Sequence, residues 1–118
     1  MGEGFRCDVI IFNFPHIGGK SKIQANRELL KNFFICASKH LLPGGRVLLS
    51  LCKGQGGTPV DHQRAWGDTW QAVPMAAHGG FILTAVQPWK SPPGYLQSGY
   101  RSRAAEFRVA GGLTHVFI

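Results

Sequence analysis

The residues best equipped for chemistry stand together as Asn13-Phe14-Pro15-His16. Asn13 offers an amide oxygen and two N–H donors, and Phe14 sets a main-chain carbonyl beside them. Pro15 holds φ near about −65° and stiffens the corner. His16 carries a flat ring that stacks on another ring and exchanges a proton near neutral pH. Together they form a small polar clamp suited to the edge of a flat heterocycle. The same residue types also build an ordinary strand-to-loop turn closed by an Asx-type hydrogen bond, and both readings stay open on these four residues.

A clamp needs a frame. The run Cys7-Asp8-Val9-Ile10-Ile11-Phe12, β-branched at its centre, predicts a strand buried on both faces, which Pro15 then ends. Gly18-Gly19 and Lys20-Ser21-Lys22 predict a mobile, positive loop. Over residues 24–40, apolar side chains recur at Leu29, Leu30, Phe33, Phe34 and Ala37, continuing to Leu41, as on one face of a helix. Pro43-Gly44-Gly45 is expected to end it. Residues 46–52 read as a second buried strand, followed by the flexible loop Lys53-Gly54-Gln55-Gly56-Gly57-Thr58-Pro59. A second helix is predicted over residues 63–77, with Trp66, Trp70, Val73 and Ala77 on one face and Gly79-Gly80 as its cap. That spacing puts both tryptophans in the core, with stacking on exposed bases as the alternative.

Residues 81–87 predict a third strand closed by Pro88, and residues 91–102 a polar loop. Residues 106–109 and 113–118 suit the arms of a hairpin turning at Ala110-Gly111-Gly112. This order calls for an α/β fold: a mostly parallel sheet, covering helices and an antiparallel last element. Right-handed crossovers put the clamp at the carboxyl edge of that sheet, where such folds bind ligands.

Composition narrows the class. In 118 residues, 44% are apolar and 16% charged, which is a folding chain and not a disordered one. The length suits one domain, and no apolar run reaches the ~20 residues of a membrane helix. No signal peptide is read at the start. The widely spaced Cys7, Cys36 and Cys52 suggest a reducing, intracellular setting and no metal site. Thirteen Lys and Arg against six Asp and Glu leave a formal charge of +7. That charge favours a polyanion such as RNA, with a merely soluble basic surface as the alternative. Lys20, Lys22, Lys90, Arg101 and Arg103 on predicted loops could gather into one basic patch.

The stretch Asp8 to His16 with its Gly-Gly loop resembles the signature of the fungal 25S rRNA uridine-N3 methyltransferase family. Asn26-Arg27-Glu28-Leu29-Leu30, the stretch Leu51 to Pro59, Gly99-Tyr100-Arg101-Ser102 and residues 107–117 are similar to it as well. The resemblance implies a Rossmann-like class I methyltransferase domain that uses S-adenosylmethionine to methylate N3 of an rRNA uridine. It implies that Asn13, Phe14, Pro15 and His16 form the catalytic corner. Asn13 and the Phe14 carbonyl would orient the target nitrogen, and His16 would stack on the base and take its proton. Lys20, Lys53, Gln55 and Arg101 are the expected substrate-binding residues.

The family pattern opens with a strand and a Gly-x-Gly cofactor loop, whereas this chain opens on the motif strand. Residues 1–118 are therefore expected to be the carboxyl-terminal half of the domain, without its cofactor-binding half and inactive alone. Self-association through the cut sheet edge follows. A non-catalytic RNA- or protein-binding module of degenerate methyltransferase fold is the alternative.

Overall fold

The computed structural model describes residues 6–15, 23–90 and 111–118. Its elements run β1 (Cys7–Asn13), α1 (Ile23–Ser38), β2 (Leu41–Leu51), a 3₁₀ turn (Trp66–Asp68), α2 (Ala72–Ala77), β3 (Leu83–Pro88) and β4 (Leu113–Phe117). The α/β class expected from the sequence holds. β1 and β2 pair in parallel through α1, and β4 inserts antiparallel between β2 and β3, so the sheet order is β1-β2-β4-β3.

α1 forms where the apolar spacing places it. Leu30, Phe34 and Ala37 recur at helical intervals and are buried. They pack on Val47, Leu49 and Leu51 of β2 and Phe117 of β4, joined by Trp70, Ala72, Ala76 and Phe81. Phe34 is the hub, with ring centroids 4.9 Å from Phe117 and 5.5 Å from Phe81. Truncating a ring buried like this costs about 3–5 kcal/mol, so this face decides whether the sheet holds together.

Three expectations need correction. Among the described residues β1 is the outermost strand and α1 covers one of its faces, so it is not buried on both: Val9 is 37% and Ile11 60% exposed. Pro43-Gly44-Gly45 does not end α1, which stops at Ser38. Instead residues 42–45 loop out within β2, between the pairs Cys7–Leu41 and Val9–Arg46.

The long helix over residues 63–77 is absent. Pro74 has no N–H and its ring excludes a helical carbonyl four residues back, at Trp70. The helix can therefore begin only with Pro74 in its first turn, and α2 starts at Ala72. Upstream the chain makes the 3₁₀ turn, which Thr69 ends by donating from both its N–H and its hydroxyl to the Trp66 carbonyl. The tryptophans therefore do not share a helix face. Trp70 is buried and Trp66 is 52% exposed. The expected antiparallel last element is present as β4, which lies between β2 and β3, and the hairpin arm expected at residues 106–109 falls outside the described residues.

Candidate functional site

Strand register assembles the site. Asn13, the last residue of β1, pairs with Ser50 of β2; Ser50 pairs with Thr114 of β4, and Thr114 with Gln87 of β3. Residues directly opposite on neighbouring strands share a face. One polar residue from each strand thus forms a rung across the sheet, at the carboxyl ends of β1, β2 and β3. The next rung inward, Ile11-Leu48-Val116-Ala85, is apolar. Within the polar rung the Ser50 and Thr114 hydroxyls lie 2.7 Å apart.

The corner after Asn13 is held in an uncommon conformation. Phe14 has φ +50°, in the left-handed region that costs a non-glycine residue about 1–3 kcal/mol. The turn is secured because the Phe14 N–H donates to the Ser50 carbonyl at 2.8 Å. Its ring stands edge-on to Trp89, with centroids 4.9 Å apart at 83°. Trp89 is itself pinned by its N–H to the Gly112 carbonyl, 2.9 Å, and Pro15 behind the corner is buried. Asn13 remains exposed. With Ser50, Gln87, Trp89, Lys90 and Thr114 it lines a cavity of about 470 Å³ over Ile11 and Leu48. That volume lies in the range of small-molecule sites.

Of the other expected site residues, Lys53 is exposed on the loop after β2. The Gln55 amide oxygen accepts from the Cys52 N–H at 2.9 Å, which closes that loop. Neither lines the cavity around Asn13. His16, Lys20 and Arg101 lie outside the described residues. Ser50, Gln87, Trp89 and Thr114 were not found by sequence reasoning. The one available signal was a lone hydroxyl inside an apolar strand, Leu-Leu-Ser-Leu for β2 and Leu-Thr-His-Val for β4.

The loop after β2 is organised from within by Asp61, which is only 6% exposed. Its carboxylate accepts from the N–H groups of Gly54 at 2.8 Å, Gly56 at 3.3 Å and His62 at 2.6 Å. Beneath the loop, His115 of β4 is fully buried. Its Nδ1 lies 3.0 Å from the Leu49 carbonyl, so that nitrogen carries the proton, and Nε2 has no partner among the described residues. Burial pushes the His115 pKa below its ordinary 6.5, against the opposing pull of the Leu49 carbonyl and the Asp61 charge. Gly56 covers the ring closely, since a Cβ there would stand 2.5 Å from Nε2. Among the described residues no group of three His, Cys, Asp or Glu side chains could hold a metal ion, and no helix is long and apolar enough to cross a membrane.

Residues 2–99 match the family described as rRNA (uridine-N3-)-methyltransferase, BMT5-like. The chain is also similar to the ferredoxin-fold anticodon-binding domain-containing protein 1 homolog of Mus musculus, at 50% identity over 113 residues. That alignment covers 93% of this chain and 18% of the mouse protein. Ferredoxin-fold anticodon-binding domain-containing protein 1 of Homo sapiens is 49% identical over 113 residues, with the same coverage. The chain thus spans less than a fifth of the length of these curated relatives. No solved structure matches it.

Proposed function

Because this chain belongs to the BMT5-like rRNA (uridine-N3-)-methyltransferase family, we propose that its polar rung and the corner after it hold an rRNA uracil for methylation at N3. The observation that carries this reading is Asn13, exposed on the cavity beside a left-handed Phe14. The N3 edge of uracil presents an acceptor, a donor and an acceptor in turn. The Asn13 amide can donate to one carbonyl, and the Phe14 carbonyl can accept from N3–H. Ser50, Thr114 and Gln87 supply further donors for the second carbonyl. Trp89 forms an aromatic wall, and the Lys90 ammonium suits a neighbouring phosphate. N3 must lose its proton before it can carry a methyl group, and His16, next after Pro15, is the proposed acceptor.

The family implies S-adenosylmethionine as methyl donor. The described residues do not fit it: the one Gly-x-Gly that leaves a described strand, Gly54-Gln55-Gly56, already has the N–H groups of both glycines bonded to Asp61. We read the sheet as half of a Rossmann-like class I methyltransferase domain. Among the described residues, the order β1-β2-β4-β3 with only β4 reversed and β1 outermost supports this. On that reading the chain alone does not transfer methyl groups, and its β1 edge pairs with a second copy. The consumed glycine loop equally favours a non-catalytic RNA-binding module, which titration calorimetry with S-adenosylmethionine separates.

The decisive test replaces Asn13 by Ala within a protein of the relatives' full length that carries this segment. Transfer of labelled methyl to rRNA should fall about a hundredfold, the usual cost of a misplaced reacting group. An unchanged rate removes Asn13 from the site.

A further inference from the structure

A second feature lies away from the polar rung, on the exposed stretch between the loop after β2 and α2. Every residue from 62 to 68 is exposed. Trp66 is the one aromatic among them, and it is not loose. With the Gln71 amide oriented so that its oxygen faces the donors, that oxygen accepts from Trp66 Nε1 at 3.1 Å and from Arg27 Nη2 at 3.2 Å. Arg27, reaching across from α1, also donates to the Thr69 carbonyl at 2.7 and 3.0 Å and to the Gly67 carbonyl at 2.9 Å. The ring edge rests against Gly57, where φ is +77° and a Cβ would stand 2.9 Å from Trp66 Cζ3.

Among the described residues, only Phe14 and Gln71 combine a side chain with positive φ. Phe14 shapes the candidate site, and Gln71 (φ +54°) holds the indole. Backbone strain of this kind persists only where its surroundings enforce it. Here it keeps a half-exposed tryptophan in one orientation. Trp66 borders a groove of about 330 Å³ with Thr58, Pro59, His62, Gln63 and Arg64. The Arg64 guanidinium lies over Gly54, so this groove shares its wall with the loop that leaves β2 after Leu51.

We propose that Trp66 is a preorganised stacking platform for an unpaired base of single-stranded RNA, with Arg64 on the adjoining phosphate. A fixed aromatic beside a guanidinium in a polar groove is the usual equipment for strands whose bases are splayed out, and the chain's charge of +7 draws such a strand in. His62, Gln63 and Arg64 give the groove polar and cationic groups that suit a sugar-phosphate backbone. The platform leans on the RNA reading above only for the nature of its partner, and it uses none of the residues of the polar rung.

The test is fluorescence anisotropy of this chain with labelled single-stranded oligoadenylate, whose bases lack the edge that the Asn13 cavity would read. An abasic strand of the same length serves as control. Wild type should bind oligoadenylate about tenfold more tightly than the abasic strand. Trp66→Ala should abolish that difference while leaving the abasic strand unaffected, and Trp66→Phe should retain most of it. Arg64→Gln should weaken both probes and lower the salt slope by about one. Methyl transfer reads the uracil site and the difference between these two strands reads the platform, so the two failures are told apart. Equal affinity of wild type for the two strands overturns the proposal without any variant. Equal losses on both probes with Trp66→Ala overturn it in favour of a structural role.

Discussion

Replacing Asp61 by Asn takes one charge from the loop after β2 while keeping the shape of the side chain. Oδ1 serves two donors, Gly54 N–H at 2.8 Å and His62 N–H at 2.6 Å, and Oδ2 serves Gly56 N–H at 3.3 Å. Asparagine can keep the first two bonds, but as neutral ones, and each then weakens by about 1 kcal/mol. Its NH₂ group must face the Gly56 N–H, donor against donor, which leaves a buried N–H unpaired at about 1–2 kcal/mol. The expected loss is about 3 kcal/mol. For a chain of this size that lowers the melting temperature by about 10 °C, followed by circular dichroism. Amide exchange should locate the damage, with Gly54 and Gly56 exchanging at least about tenfold faster through local opening and the Phe34 cluster faster only by as much as global stability falls. Asp61→Ala should cost more, since it orphans all three N–H groups. A fall below about 3 °C, or unchanged exchange at both glycines, would refute the view that this carboxylate builds the loop.

Acid should destabilise the fold through His115. Below pH 6.5 the unfolded chain takes up a proton that the buried, neutral ring refuses, so stability drops as pH falls, by up to about 1.4 kcal/mol per pH unit, until the folded pKa is reached. Denaturant titrations at pH about 7.5 and 5.5 should show that slope reduced in His115→Gln, and equal slopes would count against it. The open face of β1 should make the isolated chain self-associate, and Ile11→Lys should return it to monomer in sedimentation runs, because a charge on an edge strand opposes edge pairing. A wild-type chain that stays monomeric at high concentration would sink that expectation.

Much of the frame was legible because it rests on local chemistry. β-branched residues at the centre of β1, the helical recurrence of Leu30, Phe34 and Ala37, and Pro88 at the end of β3 each act on their own stretch of backbone. Apolar spacing over residues 63–77 predicts one long helix, but Pro74 within it forbids helical turns behind it, so only the short α2 forms. Asn13 was legible as a chemically able residue at a strand end. Its partners were not, since Ser50, Thr114 and Gln87 are far from it in the chain and unremarkable alone.

By itself the sequence determined an α/β chain, a polar corner at Asn13 and a kinship with uridine-N3 methyltransferases, because periodicity, proline stops and motif spacing are properties of neighbouring residues. Tertiary structure alone decided that β4 inserts between β2 and β3, which brings four distant polar residues into one rung. It also decided that β1 is outermost among the described strands and that Trp66 faces outward while Trp70 goes inward. These outcomes depend on which strands pair and in what register, and pairing energy is exchanged between segments too far apart in sequence for any local pattern to record.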